Sequence, residues 1–166
     1  MTQAGELLAW AERFAHEPRP SQATLRLAVS TAYRALFLLL RADATRGLIP
    51  PRHPNAAELR RTLSRTFEHR VMYNAARAFA GQGKNAWAAA AGEVPRDLAR
   101  VAEAFVQLHQ ARELADYDQL GPSFTRSETV ARVRLAAEAF RGWAVVRKTP
   151  AARVFLLALL VRAVER

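Results

Sequence analysis

The chain has 166 residues, 51% of them hydrophobic, so it is long enough to bury one core, and a single domain over residues 1–166 is predicted. It contains no cysteine, which excludes disulfides, thiolate zinc sites and cysteine nucleophiles and is compatible with a cytoplasmic location. Its formal charge of +10 favours an anionic partner, but all basic residues except Lys84 and Lys148 are Arg, a composition that GC-rich genomes also produce.

Almost every segment has helical periodicity and none shows the alternation of a strand, so an all-α bundle is predicted. In chain order, helices are predicted over about residues 2–17, 21–44, 56–65, 67–80, 95–117 and 125–143. A short helical turn is predicted at 87–91, and a last helix runs from Thr149-Pro150 to the C-terminus.

Local capping signals support these boundaries. Ser21 and Asn55 are suitable N-caps, and Thr125 with Glu128 has the form of a capping box. Gly121-Pro122 is expected to end the long helix before that box. The core spacing of Trp10, Phe14, Phe105, Phe140 and Trp143 predicts packing rather than base stacking.

The last predicted helix is apolar on nearly every side, so it must be covered. We expect a homodimer, with packing inside one chain as the alternative. Its longest apolar run is too short to span a bilayer, and the N-terminus lacks the pattern of a signal peptide, so no membrane association is expected. The four histidines have no metal-ligand spacing, and neither a metal site nor a cofactor is predicted.

The segment from Arg112 to Asp118 is the most informative in the chain. Arg112 lies in line with the apolar residues on one face of its helix, so its charge needs a partner. Asp116, four residues further along, can supply one. Tyr117 supplies a hydroxyl beside them. A buried ion pair that locks two helices together explains this pattern, and so does an anion-binding site.

Arginines are also concentrated in a second segment. Arg60, Arg61, Arg65 and Arg70 fall within eleven residues, with Tyr73 and Arg77 close by. This is the best candidate for an anion or RNA surface, and a solvated helix face is the alternative. Arg65 and His69 are predicted to share a helical face, with Glu68 beside them.

Three segments together resemble the HEPN superfamily of helical domains. The first is residues 28–37, which contain the run Tyr-Arg-Ala-Leu-Phe, and the second is residues 65–70, which contain Arg-x-x-x-His. The third is residues 112–118, with the pattern Arg-x-x-Ala-Asp-Tyr-Asp, followed by the helix start at residues 124–128. The third resembles one uncharacterised bacterial branch in order and spacing, and the resemblance covers about residues 20–146.

The resemblance implies an up-and-down helical bundle, usually dimeric with a groove at the dimer axis, here with an extra hydrophobic C-terminal helix. Many members are metal-independent ribonucleases, often toxins paired with a nucleotidyltransferase antitoxin, and others bind RNA or nucleotides or act as scaffolds. The ribonucleases carry an Arg followed, after four to six residues, by a His. This chain departs from that pattern, because Tyr117 stands at that distance from Arg112.

Cleavage of RNA without a metal needs a base for the 2′-hydroxyl proton, which His provides near neutral pH and Tyr does not. The predicted site therefore has Arg112, His69 and Tyr117 as candidate catalytic groups and Arg61, Arg65, Glu68, Arg70 and Asp116 as candidate binding groups. The expected function is an RNA- or nucleotide-associated component of a toxin–antitoxin or defence module. The alternative is a non-catalytic dimeric scaffold that docks on a separate partner such as a nucleotidyltransferase.

Overall fold

A computed structural model describes residues 2–83, 86–117 and 123–161, and all regular secondary structure in these ranges is helical. The all-α prediction is therefore confirmed for the described part of the chain. The helices are α1 Gln3–Ala15, α2 Gln22–Leu48, α3 Ala56–Ser64, α4 His69–Phe79, α5 Ala86–Ala90, α6 Arg96–Tyr117, α7 Arg126–Val146 and α8 Pro150–Ala158.

Most predicted caps are present. The hydroxyl of Ser21 accepts a hydrogen bond from the Thr24 N–H, and the capping box at Thr125 and Glu128 is formed in both directions. Thr149 caps α8 through the Ala152 N–H. Asn55 occupies the N-cap position of α3 but makes no capping bond with its side chain. The stop predicted at Gly121-Pro122 lies outside the described residues.

Two predicted boundaries are wrong. The second helix continues past residue 44 to Leu48, because Gly47 is tolerated within its last turn. The last helix ends at Ala158, well before the C-terminus. The chain forms two compact units: unit 1 comprises Met1–Leu39 and Ala104–Arg141, and unit 2 comprises Leu40–Glu103 and Gly142–Arg166.

Unit 1 pairs the first part of α2 with the second part of α6. Arg26 at the start of α2 donates to the carbonyl groups of Leu114 and Ala115 at the end of α6, at 3.0 and 3.2 Å. Tyr33, two turns further along α2, packs against Phe105, earlier on α6, so the two helices run antiparallel. The amide of Gln22 makes two hydrogen bonds with the backbone of Phe124 and fixes the chain just before α7.

Unit 2 has an aromatic core. The Phe155 ring lies 5.0 Å from that of Phe79 and 6.3 Å from that of Trp143, measured between ring centroids. Phe155 and Leu159 are fully buried, so the C-terminal segment is partly covered by its own chain, where it contacts α4 and α5. The homodimer stays a prediction.

Aromatic packing was predicted with one error. Phe105 and Trp143 are buried as expected, at 0% and 1% exposure, whereas Trp10 is 47% exposed. The inward face of α1 is built from alanines such as Ala11 and Ala15, which leaves the indole outside.

One helix in the described part of the chain, α2, is long and apolar enough to cross a bilayer. In the protein 61% of its most apolar stretch is buried, which is also the pattern of a core helix. The absence of membrane association remains an expectation.

Candidate functional site

The predicted ion pair between Arg112 and Asp116 is present in unit 1. Arg112 Nε donates to Asp116 Oδ2 at 2.8 Å, one turn apart on α6. The guanidinium carbon lies 5.6 Å from the centroid of the Tyr33 ring, so the cation also contacts an aromatic ring. The pair is less buried than predicted, because the Asp116 side chain is 30% exposed and that of Arg112 16%.

His109 contacts the same Tyr33 ring. It is 6% exposed, its Nδ1 lies 3.8 Å from Glu113 Oε2, and its ring meets that of Tyr33 edge to face at 5.5 Å. Burial lowers the pKa of His109; Glu113 acts in the opposite direction and Arg112 in the same one. Burial therefore favours the neutral form of His109.

His109 was not among the site residues predicted from the sequence, where the histidines other than His69 were considered only as metal ligands. A signal was present: His109 precedes Arg112 by three residues, so the two share a helix face. We call Tyr33, His109, Arg112, Glu113 and Asp116 the Arg112 cluster.

Tyr33 joins α2 to this cluster and is enclosed. The residue is 2% exposed, and burial raises its pKa far above the ordinary value near 10, with opposing effects from Arg112 and Glu113. A neutral, covered Tyr and a neutral, covered His cannot meet a substrate directly. The contacts of Tyr33 on α2 with His109 and Arg112 on α6 hold these two helices together. That Arg112 and Asp116 serve to lock helices rather than to bind an anion stays a prediction.

The site residues taken from the sequence fall in different units. Arg112 and Asp116 belong to unit 1, and Arg61, Arg65, Glu68, His69 and Arg70 belong to unit 2. Tyr117 is the last residue of α6, and its side chain lies outside what the structure describes.

The prediction that Arg65 and His69 share a helical face is wrong. Arg65 is the C-cap of α3, and His69 is the first residue of α4. The chain between them leaves the helical path, and Glu68 has an extended backbone. Its carbonyl accepts from the Met72 N–H, so Glu68 begins α4 through its backbone.

One Arg–His pair, Arg46 and His53, fits the spacing of the resembled ribonucleases and was overlooked in the sequence. Arg46 and His53 have six residues between them. They do not share a helix, because α2 ends at Leu48, and the Nδ1 of His53 accepts from the Asn55 N–H in the following loop. Arg46 pairs with Asp43 on its own helix.

The arginine segment of unit 2 is largely exposed. Arg61, Arg65, Arg70 and Arg77 are all exposed, and so is His69. Arg60 differs, because its guanidinium donates twice to the carbonyl of Ile49, at 2.9 and 2.6 Å, and so fastens α3 to the end of α2. We call Arg61, Arg65, Arg70 and Arg77 the α3–α4 arginine surface.

The charge of the chain is unevenly divided. Unit 2 contains 16 of the 25 basic residues and 7 of the 15 acidic residues, a formal charge of +9. Unit 1 contains the other nine basic and eight acidic residues, a formal charge of +1. The net positive charge of the chain therefore lies almost entirely in unit 2.

Unit 1 contains an open cleft of about 470 Å³ between α1 and α7. Its charged lining alternates in sign, with Glu12 and Glu138 against Arg134 and Arg141, above a floor that includes Val133. Such a lining has no net attraction for a polyanion.

Within residues 2–83, 86–117 and 123–161, no three His, Asp or Glu side chains come together as metal ligands. Comparisons of the chain with protein-family models, curated proteins and solved structures found no match. The helices of the described residues define an all-α protein.

Proposed function

We propose that this chain is a cytoplasmic, HEPN-like RNA-associated protein that binds RNA through the α3–α4 arginine surface of unit 2. Its place in a toxin–antitoxin or defence module, as a homodimer, is what its resemblance to HEPN domains implies. One observation carries the RNA-binding proposal: nearly all of the net charge, +9 of +10, lies in the unit that exposes these arginines.

Several features favour RNA over a single nucleotide. Arg61, Arg65, Arg70 and Arg77 extend over two helices and the turn between them, so they offer contacts to several phosphates. Arginine suits this role because its planar guanidinium binds phosphate through two parallel hydrogen bonds. Counterions released by each contact make such binding depend on salt.

The proposal is tested by fluorescence anisotropy with a labelled, unstructured RNA between about 50 and about 200 mM salt. The surface variant carries Arg61→Gln, Arg65→Gln and Arg70→Gln. Because each phosphate contact to a single strand contributes about 0.7 to the slope of log affinity against log salt, we expect the slope to fall by about 2.

A matched variant of unit 1 controls for net charge. It carries Arg13→Gln, Arg134→Gln and Arg141→Gln, which remove three charges from exposed positions. We expect this variant to bind RNA within about twofold of the wild type, since these arginines lie in the nearly neutral unit. Equal losses in the two variants, or no binding by the wild type at low salt, would refute the proposal.

Ribonuclease activity is tested on the same RNA in EDTA. In metal-independent cleavage a base takes the 2′-hydroxyl proton, the 2′-oxygen attacks the adjacent phosphorus, and the 5′-oxygen leaves with a proton, which produces a cyclic phosphate. His69 and His53 are exposed in unit 2 and are the candidate bases. Cleavage that His69→Ala or His53→Ala abolishes, with binding retained, would assign the base. No cleavage by the wild type would leave binding as the function.

A second candidate function is a scaffold that docks on a separate protein such as a nucleotidyltransferase. The observation that favours it is the enclosure of Tyr33 and His109, which leaves the Arg112 cluster as an element of stability. If the protein is such a scaffold, Arg112→Ala mainly lowers the free energy of unfolding, and the molecules that remain folded function like the wild type. The enzyme reading requires loss of activity with the fold intact.

A further inference from the structure

The outward face of α4 places an aromatic ring between two cations. Arg70, Tyr73 and Arg77 are spaced by three and four residues, so they lie on one side of the helix. The opposite side is the buried one and contains Met72, Ala75, Ala76 and Phe79. Arg70 and Arg77 are exposed, and Tyr73 is partly buried, so part of this residue is accessible to solvent.

The guanidinium of Arg77 is held beside that ring. Its carbon lies 6.0 Å from the centroid of the Tyr73 ring, and its Nη2 donates to the Gln82 carbonyl at 3.2 Å. That carbonyl is itself fixed by the end of α4, where Gly81 has a positive φ of 75°. The Gln82 N–H returns to the Arg77 carbonyl at 2.8 Å, the bond that defines a Schellman motif.

We infer that Arg70, Tyr73 and Arg77 form a stacking platform for unpaired bases, so that unit 2 binds single-stranded RNA in preference to duplex RNA. The inference rests on the proposed function and adds the class of RNA. An aromatic ring and a planar guanidinium are the two surfaces on which proteins stack exposed bases. In a duplex the base faces are already stacked on one another and are not accessible to such a platform.

The spacing of the two flanking arginines agrees with a stacking platform. Arg70 and Arg77 are seven residues apart, about 10 Å along the helix axis, so they reach different phosphates. The ring lies between them, where the base of an intervening nucleotide would be. A plain charged surface would attract both forms of RNA through their phosphates and would not need Tyr73.

The test compares a labelled oligouridine of about 16 nucleotides with an RNA duplex of the same length by anisotropy. We expect the wild type to bind the single strand at least about fivefold more tightly, the lower end of the effect of one stacked base. Tyr73→Leu, which keeps an apolar side chain and removes the ring, should weaken single-strand binding by about 5- to 100-fold. Its duplex binding should stay within about twofold, because the phosphate contacts remain.

Three further variants make the result specific. Tyr73→Phe retains the ring and should bind like the wild type. Arg77→Lys retains the charge but loses the planar guanidinium, and it should weaken single-strand binding by about threefold or more. Because Arg77 is exposed, this variant tests the inference even if Tyr73→Leu folds poorly. Trp10→Leu removes an exposed aromatic side chain from unit 1 and should change neither affinity.

The outcomes separate the inference from the proposed function. Equal affinity for single strand and duplex, or equal losses of both in Tyr73→Leu with circular dichroism unchanged, would overturn the stacking platform and leave RNA binding by unit 2 in place. Failure of the wild type to bind either RNA at low salt would overturn the proposed function itself.

Discussion

Arg112→Ala measures whether the Arg112 cluster serves stability or ligand binding. The change removes a partly exposed ion pair with Asp116, which contributes about 0.5–1 kcal/mol. It also removes the contact with the Tyr33 ring, about 1 kcal/mol at this partly desolvated position. Lost packing of the aliphatic stem adds about 0.5–1 kcal/mol. The free energy of unfolding should therefore fall by about 2–3 kcal/mol.

The exposure of Asp116, which loses its partner in this variant, explains why the expected loss of stability is not larger. A carboxylate stranded in the interior would cost about 3–5 kcal/mol, but the Asp116 side chain is 30% exposed and keeps much of its hydration. The sequence alone predicted a buried pair and so a larger penalty. For a chain of this length, the expected loss corresponds to a decrease in Tm of about 4–12 °C.

The assay is urea unfolding followed by circular dichroism, with RNA affinity measured on the same samples. Arg134→Ala is the matched control, because it removes an exposed helical arginine from unit 1 and should change stability by less than about 0.5 kcal/mol. A loss below about 0.5 kcal/mol in Arg112→Ala would refute the structural reading. A tenfold loss of RNA affinity with the fold intact would instead place Arg112 in the ligand site.

Two further predictions concern buried polar groups. Asp43→Ala removes the Asp43 Oδ2 atom that accepts the Trp143 indole N–H at 2.7 Å and lies 3.8 Å from Arg147 Nη1. The change should cost about 2–3 kcal/mol in urea unfolding followed by tryptophan fluorescence, and Asp43→Asn, which keeps an acceptor, should cost less. Burial lowers the pKa of His109 in the folded protein below its ordinary value of about 6.5. As the pH falls through about 6.5, the unfolded chain therefore binds more protons than the folded chain. The free energy of unfolding should decrease until the pH reaches the lowered folded pKa. His109→Gln should flatten this dependence between about pH 7.5 and 5.5, and an unchanged slope would contradict the assignment.

Local features of the sequence were enough for the helices and their starts. The caps at Ser21, Thr125 and Thr149 each join residues three apart, so short-range chemistry determines them. The Arg112–Asp116 pair was found for the same reason, since both residues lie on one helix and are four apart. Neither inference required knowledge of how the chain folds back.

Contacts between distant residues could not be read in this way. Asp43 and Trp143 are 100 residues apart, and Gln22 and Phe124 are 102 apart. The contacts of Tyr33 with His109 and Arg112 likewise join two separate helices. The error at Arg65 and His69 came from extending helical spacing across a turn that the local sequence does not mark with Gly or Pro.

The all-α class, most helix starts, the arginine-rich segment and the total charge of +10 follow from the amino-acid sequence alone. The fold sets how that charge is divided between the units, because each unit is assembled from two separate stretches of chain. It also decided which arginines face outward and which, like Arg60, are held by backbone carbonyls. Side-chain exposure depends on what packs against a helix, whereas the position of a helix along the chain is marked by local caps and by the spacing of apolar residues.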